Sequence, residues 1–265
     1  MVRRMKPSIS RRVFLICMVS LWTAVSGVAD GADARPAAME NSLGMKFVPV
    51  AGTKVQFCIW PTRAQDFEAF TKDKNIDRKW ADPALGPTHP VVNVSWKDAK
   101  AFCGWLTERE RKAGKIPEGS YYRLPTDEEW SVAVGIADKE QGATLTDKMW
   151  SVKLYPWGED KRPPKNFGNY LVEWMVDEFE KTSPVGSFKP NAFGLYDMSG
   201  NVSQWCEGQL DARSTERRLI RGCSWNRSGH PYSWSSYRAH GDLDHWSDDR
   251  GFRVVLAKEP LSDKP

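Results

Sequence analysis

Cysteine and histidine are scarce in this chain, and neither is arranged for the chemistry it usually serves. Five cysteines and four histidines are distributed over 265 residues. No Cys-x-x-Cys pair occurs, and the cysteine spacings fit no structural zinc site. No Ser–His–Asp order stands out, and no glycine-rich phosphate loop follows a strand pattern. A Lys/Arg-rich stripe is missing as well. The formal charge is +4, but Arg3, Arg4, Lys6, Arg11 and Arg12 against Asp30 and Asp33 place most of it before residue 35. The remainder is close to neutral, so nucleic-acid binding by phosphate neutralisation is not expected. The apolar run from Val13 to Trp22 falls short of the ~20 residues that span a bilayer, so no stable membrane span is expected.

That run has another reading. A basic head, a short apolar stretch and the small residues up to Ala32-Asp33-Ala34 make a secretory leader over residues 1–34. Ser10-Arg11-Arg12-Val13-Phe14-Leu15 resembles a twin-arginine export signal, so a periplasmic or secreted protein is expected. Outside the cytoplasm, Cys58, Cys103, Cys206 and Cys223 can form one or two disulfides or stay buried as thiols. Cys206 and Cys223 flank one loop and could pair. Residues 35–40 read as a linker, 41–258 as one domain and 259–265 as a tail.

Within the domain, Met45 to Val50 and Val55 to Trp60 read as strands. Thr62 reads as the cap of a helix bearing Ala64, Phe67 and Phe70 on one face. A proline-rich loop containing Trp80 and Pro83 follows, then the strand-like Val91-Val92-Asn93-Val94. Ser95-Trp96-Lys97-Asp98 and Thr126-Asp127-Glu128-Glu129 are capping boxes, each followed by apolar residues at helical spacing. Gly135 ends the second helix, and no long helical pattern follows it. Short strands at Arg218 to Gly222 and Phe252 to Leu256 are separated by Gly, Pro and Asn. Early helices followed by a loop-rich β region, without βα alternation, give an α+β class. Asn191-Ala192-Phe193-Gly194-Leu195-Tyr196-Asp197-Met198-Ser199-Gly200-Asn201 suits tightly wound loops, since Gly and Asn adopt positive φ and cap turns. Thirteen tryptophans supply the large buried areas that such a strand-poor fold needs.

The motifs run in a particular order. Asn41-Ser42-Leu43-Gly44-Met45-Lys46-Phe47-Val48-Pro49-Val50 leads to Pro90 to Trp96, Arg123-Leu124-Pro125-Thr126-Asp127-Glu128-Glu129-Trp130, Tyr155-Pro156-Trp157-Gly158 and Thr182 to Gly186. Asn191 to Trp205, Arg221-Gly222-Cys223-Ser224-Trp225 and Gly251-Phe252-Arg253 complete it. This order resembles the sulfatase-modifying-factor family, which includes the formylglycine-generating enzyme. The resemblance covers nearly the whole chain beyond residue 40 and implies a loop-rich C-type-lectin-like fold. It implies oxidation of a sulfatase cysteine by copper held on two cysteines between Ser224 and Arg238. Residues 225–237 contain no cysteine, and Arg227 and His230 stand near the ligand positions. A linear bis-thiolate site selects Cu(I) because thiolate is soft, and Arg with one His does not replace it. Copper and sulfatase-cysteine oxidation are therefore not expected.

The resemblance also implies structural calcium. One set would be Asn166, Phe167, Asp177 and Phe179, the second Asp197, Gly200, Val202 and Gln204, with Gln204 in place of the usual Glu. Oxygen-rich loops of this kind suit Ca²⁺, and the plain alternative is that these residues cap turns. His240, His245 and four aspartates between residues 239 and 249 could hold a divalent metal, or simply form a solvated acidic loop. Ligand-binding candidates in the C-terminal loops are Trp225, Arg227, His230, Trp234, Arg238 and Trp246. Three functions compete: a divergent enzyme, a module binding a peptide, glycan or exported protein partner, and an accessory role in an envelope complex.

Overall fold

Two small sheets carry the site loops, and their first strands come from the edges of the motifs above. The computed structural model describes residues 38–77, 85–210, 215–227 and 229–258. The expected leader at 1–34, the tail at 259–265, and Trp80 and Pro83 lie outside the described residues. Strands β1 (Met39–Glu40), β2 (Lys46–Pro49) and β3 (Gln56–Cys58) open the fold. Helices α1 (Ala64–Asp73) and α2 (Trp96–Lys112), strand β4 (Tyr121–Arg123), and helices α3 (Asp127–Ala133) and α4 (Leu145–Ser151) come next. A 3-10 turn at Val172–Trp174 precedes β5 (Ser203–Trp205), β6 (Arg217–Arg221), β7 (Arg238–Asp242), β8 (Arg250–Phe252) and β9 (Val255–Ala257). One sheet has the order β1-β2-β3-β9-β4, the other β7-β6-β5-β8 with β5 and β8 parallel. This is the mixed α and β arrangement expected.

Side-chain alternation decides which core each strand serves. In β9, Leu256 joins a cluster with Phe67, Phe102 and Trp105 of α1 and α2, whereas Val255 and Ala257 join one with Trp130 of α3. Phe67 and Phe102 stack at 5.6 Å, and Phe252 meets Phe102 edge-on at 5.5 Å. Each such ring contributes about 1.5–3 kcal/mol by leaving water.

The two capping boxes form as the sequence indicates. Ser95 and Thr126 accept from Asp98 N and Glu129 N, while Asp98 and Glu129 return bonds to the cap amides. Other boundaries differ. Met39–Glu40 pairs with β2, so the strand begins inside the expected linker. Thr62 does not cap α1. Its amide donates to Phe252 O and its carbonyl accepts from Val91 N, so Arg63 becomes the cap and Asp66 accepts from the Arg63 amide. Val91 to Val94 is apolar but forms no strand, because Asn93 turns the chain at φ +56° and the segment is packed as a buried loop. A seven-residue helix, α4, arises from the Thr144–Asp147 box, which the sequence reading passed over. Phe252 to Leu256 is two strands, because Arg253 turns inward between them and the chain changes sheets. Among the described residues, no helix is long and apolar enough to cross a membrane.

Candidate functional site

Three buried arginines hold the C-terminal loops in place. Arg238 donates to both oxygens of Asp127, at 2.9 and 2.7 Å, and to Glu140 at 2.7 Å. Arg221 bonds the same Asp127 carboxylate and the Ser235 carbonyl at 3.0 Å. Burial alone would raise the Asp127 carboxyl, but Arg221 and Arg238 hold it below its ordinary value. Arg253 is fully buried and, among the described residues, meets neutral acceptors: Gln204 Oε1 and Cys58 O at 2.9 Å, and the carbonyls of Tyr196 and Asp197. Burial lowers its guanidinium to about 10. The motif arginines are therefore internal clamps.

The clamped loops line an open cavity of about 750 Å³. Trp130, Phe167 and Trp234 supply apolar wall, Asp197 and Asn191 supply polar groups, and Lys165 and Lys189 bring positive charge. One wall is the Asn191 to Ser199 segment. Asn191 shapes it, its Oδ1 accepting from the Phe193 and Leu195 amides while its Nδ2 donates to Ala133 O on α3. Burial pushes the Asp197 carboxyl up, with the Gly186 amide as the largest opposing influence.

Cys58, Cys103, Cys206 and Cys223 are free and buried, so Cys206 and Cys223 do not form the disulfide that was one alternative. Burial pushes the Cys58 thiol up to about 12 and raises the other three. Cys223 Sγ lies 3.2 Å from Ser199 Oγ. Cysteine ligates a metal as its thiolate, and residues 225–237 contain no cysteine.

Hydrogen bonds link the two stretches that carry the first expected calcium set. Asn166 N donates to Val176 O at 2.6 Å, and Asp177 accepts from the Tyr170 and Phe179 amides at 3.0 and 2.9 Å. Asn166 is exposed, Phe167 is 36% exposed, and both line the cavity. In the second set Gln204 is engaged at both ends, its oxygen by Arg253 and its NH₂ group by Asp197 O at 2.7 Å. Gly200 packs against Asn169 O, and Val202 is fully buried.

The C-terminal candidates are scattered. Trp234 is buried with His230 edge-on at 4.6 Å, and its inner face reaches the cavity. Arg238 belongs to the buried clamp and offers no open ligand contact. Trp225 is half-buried with its indole N–H on Asp248 O, Arg227 and His230 are exposed, and Trp246 is 53% exposed. Aspartates of the acidic loop pair outward, Asp244 with Lys97 and Asp242 with Arg217. Sequence reading missed Trp130, Phe188 and Lys189 as cavity residues, because their shared wall exists only after folding.

Residues 38–258 match the family described as sulfatase-modifying factor enzyme 1-like domain. The inactive C-alpha-formylglycine-generating enzyme 2 of Bos taurus is 34% identical over 193 residues, covering 66% of this chain and 55% of the relative. The formylglycine-generating enzyme of Thermomonospora curvata is 36% identical over 145 residues, 51% of this chain and 39% of the relative. The chain thus spans about half the length, or less, of these curated relatives. Among solved structures, PvdO from Pseudomonas aeruginosa superposes with a TM-score of 0.60 at 20% identity, over 85% of this chain and all of that one, a likeness of fold.

Proposed function

The chain belongs to the sulfatase-modifying factor enzyme 1-like family, and we propose that it is an exported, non-oxidising member that binds a peptide, glycan or exported protein partner. The carrying observation is the pairing of an open cavity of about 750 Å³ with a neighbouring loop that has lost every thiol donor. The donors of residues 225–237 do not fit Cu(I): Arg227 cannot ligate, and a single imidazole at His230 does not replace two thiolates. The other thiols are separately buried and held protonated, which supports the same reading. The similarity to a relative described as inactive is in keeping with it. The Arg11-Arg12 leader supports export.

The cavity has the composition of a ligand site, with aromatic walls and a few placed polar groups. Trp130, Phe167 and Trp234 present apolar and aromatic surface, Asn191 and Asp197 offer hydrogen-bonding groups, and Lys165 and Lys189 add positive charge. The same reading gives calcium to the first set, Asn166, Phe167, Asp177 and Phe179, and the orientation of Asp177 by two amides supports it. Bound there, it would brace the cavity wall that carries Phe167. The second set fits it less well, since Arg253 already supplies positive charge to the Gln204 oxygen.

The test is direct. The protein is incubated with copper, oxygen and a cysteine-containing sulfatase-type peptide, and aldehyde is measured by mass spectrometry. No aldehyde above the protein-free control is expected, and stoichiometric conversion of the cysteine would overturn the reading.

A further inference from the structure

A second, much smaller pocket lies on the other side of Gly222, independent of the large cavity and of the reading given to it. Its volume is about 20 Å³, room for about one water-sized group. Two guanidiniums line it, Arg227 from the loop after β6 and Arg250 at the start of β8. Arg250 is about nine-tenths buried, and its Nε has no hydrogen-bond acceptor among the described residues. Its Nη1 faces His245 Nδ1 at 3.2 Å, and its Cζ sits 4.8 Å over the Trp205 ring. Neither neighbour brings a negative charge.

The carboxylate that lines the pocket is already engaged by hydroxyls. Asp249 lines the same pocket, but its oxygens accept from Ser224 Oγ at 2.9 Å and Ser247 Oγ at 2.5 Å. Among the described residues no ion pair joins a carboxylate to Arg227 or Arg250. Burial lowers the Arg250 guanidinium; Asp249 opposes this, and the nearby Arg227 adds to it. Tyr232 and Tyr237 complete the wall, their rings edge-on at 5.2 Å. Two guanidiniums and one carboxylate face the pocket, which leaves it net positive, and the buried Arg250 is short of acceptors.

We propose that this pocket, formed by Arg227, Arg250, Tyr232 and Tyr237, is a carboxylate-binding site. A guanidinium fork matches the two oxygens of a carboxylate, and the bond is charge-assisted at both ends. The volume takes one oxygen of a carboxylate while the second stays at the pocket mouth, and it resists the bulkier tetrahedral sulfate or phosphate. Such a carboxylate can come from a free small acid or from the end of a peptide chain.

The full chain without its leader is titrated by saturation-transfer NMR with acetate, with sulfate, and with an acetylated tripeptide carrying a free or an amidated C-terminus. Chloride holds the ionic strength constant. Saturable binding of acetate as tight as the tripeptide assigns the site to free acids. At least tenfold tighter binding of the tripeptide acid, lost on amidation, assigns it to a chain end. In either case Arg227→Gln, an exposed position whose change leaves the ligand-free thermal midpoint intact, weakens binding at least tenfold, and Arg227→Lys restores only part of it. No saturable carboxylate binding, an unchanged response in Arg227→Gln, or saturation by sulfate in preference to both carboxylates would overturn the proposal.

Discussion

At the scale of single residues, Asp127 does more than open a helix. It lies in the first turn of α3, where a carboxylate suits the helix dipole, and it also neutralises Arg221 and Arg238. Removing one member of a buried ion cluster strands the others, so Asp127→Asn is expected to destabilise by about 3–5 kcal/mol in urea unfolding. The pH dependence has a defined sign. Arg221 and Arg238 outweigh burial and depress the folded carboxyl, so its contribution is complete above the unfolded value of about 3.9. It is lost as the pH falls through the lower folded value. The stability gap between wild type and Asp127→Asn should therefore narrow below about pH 4, and a gap that widens with acid would contradict this assignment. The cap role of Thr126 was legible because its partner is three residues away. The clamp was not, because Arg221 and Arg238 are 94 and 111 residues from Asp127 in sequence.

At the scale of elements, the link between β8 and β9 shows why the Gly-Phe-Arg motif has that composition. Gly251 has ordinary extended φ, so its need for glycine is one of space. A Cβ there would stand 2.5 Å from Val91 O, which is backbone and cannot swing aside. Phe252 fills the α1–α2 core, and Arg253 turns to Gln204 while the chain passes from one sheet to the other. Gly251→Ala is expected to cost about 1–3 kcal/mol through this overpacking, seen as a lower urea midpoint with an unchanged slope. A neutral outcome would mean that the Val91 loop yields. The loop is itself instructive. Val91-Val92-Asn93-Val94 has strand composition, yet Asn93 adopts positive φ and the segment packs as buried irregular chain. Short apolar runs do not distinguish these outcomes without their partners. Helices α2 and α3 were readable because capping and periodicity are both local.

At the scale of the whole molecule, loops from widely separated parts of the sequence converge on one cavity. Residues near 130, 166, 190, 198, 222 and 234 all line it. The sequence marked the Asn191 to Ser199 wall through its turn chemistry, and it marked the loss of thiols between Ser224 and Arg238. It could not mark the opposing wall, because Trp130 reads equally well as a core residue. The proposed calcium belongs to this scale, since the Asn166 N to Val176 O bond joins the segment of Asn166 to that of Asp177. Added calcium is expected to raise the thermal midpoint, by about 2.7 kcal/mol of stabilisation at a hundredfold excess over the dissociation constant. Asp177→Asn should abolish that rise, and a calcium response that survives the substitution would place the ion elsewhere.

The chain has the fold of its family and no cysteine between Ser224 and Arg238. Equilibrium titration of the folded, reduced protein against a chromogenic Cu(I) chelator tests the proposed loss of copper binding most directly. The chelator should retain its copper until the protein is unfolded and Cys58, Cys103, Cys206 and Cys223 are released. Transfer of one equivalent of Cu(I) to the native protein would contradict the account.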